Sequence, residues 1–269
     1  MIAKKKLGQN FLRDREVIRK IIASLKPTKE DVLLEIGCGR GALTQHLAGT
    51  TRYFIGIELD SRLWSELKSR YGSPSVHFLN QDILTVHLPT LLLTLSIERV
   101  PLKIVGNIPY YISSLLVQWL SKQVKLLESA TIMFQKEVAE RLSAKPRTKE
   151  YGLLTLLGQY YFQVSPLFSV GRKAFWPEPK VDSHILRFDP LSKRIVEEEK
   201  EAALFSFLKS CFSQRRKTLV NCLKSSPFTT DALEDALKNL GFRRVVRAEE
   251  LSLKELCNLF LELERNNPD

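Results

Sequence analysis

The chain has 269 residues, 44% of them hydrophobic, enough for one large domain or a large and a small one. Its 41 Lys+Arg against 30 Asp+Glu leave a formal charge of +11, which favours a polyanionic partner. Cys38, Cys211, Cys222 and Cys257 form no C-x-x-C pair and the four histidines are scattered. That pattern argues against a zinc site and a disulfide framework, and for a reducing cytosol.

From the N-terminus, Met1–Gln9 shows no apolar stretch of the kind a secretory leader carries. Val32–Ile36 reads as a buried strand running into Gly37-Cys38-Gly39-Arg40-Gly41, with a helix opening over Ala42–Leu47. Tyr53–Ile57 is a second strand ending at Glu58-Leu59-Asp60, followed by helical spacing over Arg62–Tyr71. Val76–Leu79 is a third, ending at Asn80-Gln81-Asp82. Leu88–Ile97 is apolar but broken by Pro and Thr, and too short to cross a bilayer; no membrane partner is expected. Leu102–Val105 is a fourth strand, ending at Asn107-Ile108-Pro109-Tyr110, and Ser114–Ser121 a helix. Ala130–Phe134 is a fifth strand, before the helix Lys136–Leu142. Apolar strands separated by helices predict a parallel sheet covered on both faces. Gln159–Val164 and His184–Phe188 are expected to close it as an antiparallel edge.

Asp189-Pro190-Leu191-Ser192 reads as a boundary between domains 1–189 and 190–269. Beyond it strand signals vanish. Glu197–Cys211, Arg215–Leu223, Thr230–Leu240 and Ser252–Leu263 have helical spacing, with Thr230 or Asp231 as a cap and Gly241 as a stop. The first part holds 27 Lys+Arg against 17 Asp+Glu and the second 14 against 13, so the excess charge sits mainly in the first.

Four strand ends carry the chemistry. The glycine turn lets backbone approach a ligand, and no Walker lysine follows it, which disfavours a nucleoside triphosphate site. Glu58 stands where a carboxylate takes both hydroxyls of a ribose, and Asp82 where an adenine amino group is held. Asn107-Ile108-Pro109-Tyr110 has two readings. One is a strand-terminating turn. The other is a pocket for the exocyclic amine of a nucleobase: an amide acceptor, a rigid turn and a flat ring. Acid, acid, glycine turn and tetrad all fall at the carboxyl edge of the expected sheet, where open α/β folds bind ligands.

Glu35-Ile-Gly-x-Gly-x-Gly-Ala-Leu-Thr44, Glu58-Leu-Asp60, Gln81-Asp82 and Asn107-Ile-Pro-Tyr-Tyr-Ile-Ser113 together resemble the class I methyltransferases that dimethylate adenine N6 in ribosomal RNA. Leu7-Gly-Gln-Asn-Phe-Leu12, Phe134-Gln-Lys-Glu-Val-Ala-Glu-Arg141 and Phe175-Trp-Pro-Glu-Pro-Lys-Val-Asp-Ser183 extend the resemblance. Gln214-Arg-Arg-Lys-Thr-Leu219 is similar to the small-subunit branch, the KsgA (RsmA) enzymes. Cys38 and Arg40 depart from that family's usual proline and aliphatic residue.

The resemblance implies a class I methyltransferase Rossmann-like sheet with a small all-α C-terminal domain, and S-adenosylmethionine as donor. It implies cofactor contacts from Asn10, Leu12, Gly37, Gly39, Glu58, Asp82 and Asn107. Otherwise Leu12 reads as core and Asn10 as a helix cap. Asn107 and the Ile108 or Pro109 carbonyl would accept hydrogen bonds from the adenine amine, with Tyr110 stacking on the base and Phe175 closing its other face. Arg215, Arg216 and Lys217 would contact RNA phosphate, with Lys180, Arg147 and Lys149 as further contacts. The implied substrate is 16S rRNA in a pre-30S particle, acted on in the cytoplasm by a monomer. Alternatives are a large-subunit rRNA methyltransferase of the macrolide-resistance type, and a nucleic-acid-binding assembly or transcription factor without catalysis.

Overall fold

In the computed structural model, which describes residues 9–98, 101–224 and 226–266, short apolar runs form strands and amphipathic stretches form helices. The strands are β1 (Phe11–Leu12), β2 (Val32–Ile36), β3 (Tyr53–Ile57), β4 (Val76–Leu79), β5 (Leu102–Asn107), β6 (Leu127–Gln135), β7 (Phe162–Val170), β8 (Phe175–Trp176) and β9 (Ser183–Pro190). The helices are α1 (Arg15–Leu25), α2 (Thr44–Leu47), α3 (Ser61–Tyr71), α4 (Leu88–Thr94), α5 (Ser113–Lys122), α6 (Lys136–Leu142), α7 (Leu153–Tyr161), α8 (Glu201–Cys211), α9 (Leu219–Cys222), α10 (Thr230–Asn239) and α11 (Leu253–Asn266). The leaderless reading of the N-terminus and Leu7-Gly8 of the opening motif fall largely or wholly on residues outside those described.

Seven strands make one sheet in the order β4-β3-β2-β5-β6-β9-β7. β2, β3, β4, β5 and β6 run parallel, while β9 is antiparallel to both its neighbours. All five residues of β2 and the first five of β5 are buried, as a strand covered on both faces requires. From β2 the chain proceeds outward through β3 and β4, then returns to β5 on the other side of β2. The connections after β2 and β5 therefore diverge, which opens a crevice at the carboxyl edge between them.

β9 enters the sheet where β6 ends, with Ser183 opposite Gln135. The connection from β7 to β9 consequently lies at that same carboxyl edge. Within it, β8 pairs antiparallel with β1, Trp176 opposite Phe11 and Phe175 opposite Leu12. This two-stranded ribbon brings the N-terminal segment to the crevice. α1, to which the sequence reading assigns no element, follows at once. Its N-cap is Asp14, whose carboxylate accepts from the Glu16 and Val17 amides, so Asn10 is not that cap.

Three expected elements differ. Gln159–Tyr161 ends α7 rather than starting a strand, because Leu156 and Tyr160, four apart, are buried together on a helix face. The strand begins at Phe162 and passes through Pro166, where the register shifts; as the sheet edge, β7 tolerates a residue that cannot donate. The expected helix Arg215–Leu223 shrinks to α9. The Thr218 hydroxyl accepts from the Asn221 amide and starts the helix there, leaving Arg215, Arg216 and Lys217 in an exposed turn. Thr229, not Thr230 or Asp231, caps α10, and Gly241 follows its end at φ +77° as expected.

The chain divides into two compact units, residues 1–139 with 161–190, and residues 140–160 with 191–269. One division falls between Pro190 and Leu191, and the first unit is not the continuous segment 1–189. Residues 140–160 belong with the C-terminal helices: Tyr160 packs edge-on against Phe205 at 5.2 Å, and Tyr151 against Phe212 at 6.0 Å.

Candidate cofactor and base site

The crevice in the first unit is a cleft open to solvent. Segments 9–12, 35–43, 57–59, 81–83 and 107–112 line it. It brings together Asn10, Leu12, Gly37, Gly39, Glu58, Asp82, Asn107 and Tyr110, residues spread over a hundred positions of sequence. Leu12 serves both expectations, since it lines the cleft and is 5% exposed in the adjoining core.

The turn after β2 holds Gly37 at φ +72° and Gly39 at φ +56°. A Cβ on Gly37 would stand 3.3 Å from the Asn107 carbonyl oxygen, so a side chain there would crowd the gap between the ends of β2 and β5. Cys38 turns inward, buried, its thiol directed at the Glu35 and Ile57 carbonyls; burial pushes that thiol well above its usual pKa. The cysteine at this position is thus a small core residue.

Glu58 ties the turn to the end of β3. One carboxylate oxygen accepts from the Gly39 amide at 2.7 Å and the other from the Asp60 amide at 2.8 Å. A carboxylate offers about four lone-pair sites, so Glu58 keeps acceptor capacity for a ligand hydroxyl beside these amides. Burial raises the Glu58 pKa, and the two amide hydrogen bonds oppose that rise. The Asn80 side chain bonds the Glu58 and Leu59 carbonyls, which fixes this corner. Asp82 caps the 3₁₀ turn Ile83–Thr85 through one oxygen, bonded to the Leu84 amide at 3.0 Å.

At the end of β5, the Asn107 side-chain amide donates to the Asn10 carbonyl at 3.1 Å. That contact assigns nitrogen to the N-terminal segment and leaves Oδ1 as the acceptor facing other partners. The Pro109 carbonyl accepts from the Ile112 amide at 3.2 Å. Of the two carbonyls expected to meet an amine, Ile108 is therefore the less committed. The Tyr110 hydroxyl is 2.9 Å from the Ser183 hydroxyl, which anchors the ring at its far end. Ser183 closes the Phe175–Ser183 motif, and that membership was the only sequence signal for its part here.

Phe175 is not brought to the cleft. It is 4% exposed and packs in the core cluster with Leu12, Ile18, Met133 and Ile185. Its register partner Leu12 shares its core-facing side of the ribbon, while the neighbouring Trp176, on the other face, is 38% exposed.

Glu35 is a buried acid to which the sequence reading gives no role. Thr44 donates to its carboxyl at 2.7 Å, yet burial, reinforced by the charge of Glu58, lifts its pKa to about 8. The carboxyl is protonated in the fold at neutral pH, whereas in the unfolded chain it ionises near 4.5. Its contribution to stability is full below about pH 4.5 and is lost as pH rises through about 8. Glu35→Gln is expected to flatten this fall, so that its melting temperature relative to wild type improves from pH 5 to pH 8. Parallel melting curves across that range would place the proton elsewhere.

In the second unit, Glu249 joins two basic segments. Its backbone carbonyl accepts from the Arg147 amide at 2.7 Å and its carboxylate binds the Arg215 guanidinium at 3.1 Å. Arg147, Lys149, Arg216 and Lys217 are exposed, and their side chains make no ion pair among the described residues. Lys180 is exposed in the first unit.

Comparison with known proteins agrees with this geometry. A profile of the family described as Ribosomal RNA adenine dimethylase matches residues 2–265. A ribosomal RNA small subunit methyltransferase A of Levilactobacillus brevis is 38% identical, over 97% of this chain and 90% of its own. Its namesake in Chlorobium phaeobacteroides is 40% identical, over 97% and 91%. Among solved structures, a dimethyladenosine transferase from Plasmodium falciparum superposes with a TM-score of 0.82 at 29% identity, covering 95% of this chain and 98% of its own. The 23S rRNA methyltransferase ErmE gives 0.72 at 29% identity, over 95% and 100%. With a switch-point cleft lined by the glycine turn, both acids and the Asn-Ile-Pro-Tyr tetrad, and with a profile match over nearly its whole length, the chain belongs to the ribosomal RNA adenine dimethylase family.

Proposed function

We propose that this chain methylates N6 of two adjacent adenosines in the hairpin near the 3′ end of 16S rRNA, each twice, with S-adenosylmethionine as donor. The observation that carries the reading is the Asn107 amide, held by Asn10 with its oxygen as acceptor, beside an anchored Tyr110 in one cleft with Glu58 and Asp82. The small-subunit assignment draws on relatives named for that subunit and on the larger TM-score to the dimethyladenosine transferase than to ErmE. A monomer acting in the cytoplasm on a pre-30S particle completes the proposal. Among the described residues no helix is long and apolar enough to cross a membrane.

The cleft residues fit S-adenosylmethionine. The bare backbone at Gly37 leaves room beside the end of β5, the spare lone pairs of Glu58 suit a vicinal diol, and the second oxygen of Asp82 suits an amine. When bound, this cofactor supplies a methyl group already activated by its sulfonium. The protein therefore needs no nucleophile of its own, and its task is to present the adenine nitrogen. That nitrogen is a weak nucleophile because its lone pair is conjugated with the ring. Asn107 Oδ1 and the Ile108 carbonyl, by accepting its N–H groups, favour a tetrahedral nitrogen and stabilise the positive charge that develops there. Tyr110 presents its face to the flipped base. Alignment of nitrogen and methyl then makes transfer a matter of proximity.

Glu58→Ala is expected to weaken S-adenosylmethionine binding by about 1.5–3 kcal/mol, the worth of hydrogen bonds to a charged acceptor. Calorimetry giving equal affinities for mutant and wild type would refute this assignment. Replacing Arg215, Arg216 and Lys217 together by Ala should flatten the dependence of log K for RNA on log salt by roughly 0.7–0.9 for each phosphate no longer neutralised. Cofactor affinity should stay unchanged. Mapping dimethyladenosine in rRNA from cells with and without the protein tests the reaction itself; no difference at the 3′-terminal hairpin would overturn it.

A further inference from the structure

We propose that Arg40 binds a backbone phosphate of the substrate RNA at the mouth of the cleft; the inference rests on the RNA-methylating reading above. Arg40 lies in the glycine turn, lines the cleft and is exposed. Its guanidinium carbon sits 4.5 Å from the centroid of the Phe11 ring and 5.1 Å from that of Trp176. Those two residues face each other in the register of the β1–β8 ribbon, so the charge is held by two aromatic rings from separate parts of the chain. A cation–π contact engages the charge but consumes no N–H group. Arg40 has no ion pair among the described residues, so its fork of five donors remains for an oxyanion.

Two oxyanions come near such a cleft, a carboxylate of the cofactor and a phosphate of the RNA. The surroundings favour phosphate. Arg13 follows β1 and donates its backbone amide to the Ala174 carbonyl, which precedes β8. Lys173 and Lys180 flank β8 on either side. All three are exposed and make no ion pair among the described residues. Around the ribbon Arg13, Arg40, Arg172, Lys173 and Lys180 outnumber the acids Asp14, Glu178 and Asp182, so a net positive charge remains, and Arg40 is the member that reaches the cleft. A series of positive charges suits a chain of phosphates, whereas a single carboxylate needs one partner. Trp176, partly exposed, forms the outer shelf of the Arg40 contact, which places it toward bulk solvent.

The test compares wild type, Arg40→Met and Arg40→Lys in the full-length protein. The probe is a transcript of the 3′-terminal 16S hairpin, titrated over a range of salt. Arg40→Met covers both rings but has no charge. It is expected to bind the RNA about tenfold more weakly and to flatten the log K against log salt slope by about 0.7–0.9. The RNA KM should rise while turnover at saturating RNA and S-adenosylmethionine affinity stay within about twofold. Arg40→Lys should keep the wild-type slope. An unchanged slope for Arg40→Met overturns the proposal. So does a loss confined to cofactor affinity, which would make Arg40 a carboxylate anchor. A lowered melting temperature with both affinities shifted together would also overturn it, in favour of a latch between turn and ribbon. Absence of methylation by the wild-type protein would instead remove the parent reading.

Discussion

Asn107→Ala is expected to slow methyl transfer by roughly 10²–10³-fold in single-turnover assays, the range for removing one preorganised hydrogen-bond partner of a developing charge. The expectation follows from the Asn10 carbonyl, which takes the amide nitrogen and leaves oxygen for the substrate. RNA affinity should change little, because Asn107 is uncharged and phosphate contacts supply most of the affinity for RNA. Some cofactor affinity is expected to go, since Asn107 also joins the N-terminal segment to the end of β5. Tyr110→Ala, which loses stacking worth about 1–3 kcal/mol, should slow the second methylation more than the first, because monomethyladenine has one N6–H left and relies more on stacking. Counting mono- and dimethyladenosine separately decides the matter. Near-normal dimethylation by Asn107→Ala would reduce the tetrad to a turn at the end of a strand.

Phe175→Ala is expected to destabilise the fold by about 3–5 kcal/mol, the usual cost of emptying a buried aromatic site. The ring is 4% exposed and packs in the cluster that supports both the ribbon and the sheet. Loss of activity in this variant would follow from unfolding alone and says little about stacking. Phe175→Leu separates the two roles, since it keeps most of the apolar volume and removes the aromatic face. If the ring only packs, Phe175→Leu should retain the dimethylation rate with a modest drop in melting temperature. If the ring closes over the target base, that variant should accumulate monomethyladenosine at near-normal stability. The melting curve and the product ratio together leave no outcome ambiguous.

Local pattern was enough to place the strands Val32–Ile36, Tyr53–Ile57 and Val76–Leu79 at their observed bounds. Each is a short, largely apolar run that ends close to glycine or an acid; Val32–Ile36 and Tyr53–Ile57 are buried almost throughout, while Val76–Leu79 at the sheet edge alternates buried and half-buried residues. The order of those runs then implied a parallel sheet, and a parallel sheet puts all their carboxyl ends on one edge. Glu58, Asp82 and Asn107 were legible as a group for that reason. Family resemblance supplied their roles, and the profile match over residues 2–265 supports the family.

Tertiary structure alone decided what depends on a distant partner. A two-residue strand has no period, so nothing in Phe11-Leu12 or Phe175-Trp176 announces the ribbon that carries the N-terminus to the cleft. The orientation of the Asn107 amide is set by a carbonyl 97 residues away. The proton on Glu35 depends on burial beneath the glycine turn and on the charge of Glu58, neither visible in the motif. Leu153–Tyr161 is apolar enough for strand or helix, and its packing as a helix, with Tyr160 against Phe205, assigned 140–160 to the second unit. In each case the deciding term is a contact between segments remote in sequence. Such a contact becomes favourable only once the sheet has fixed both ends, and so it leaves no trace in the local order of residues.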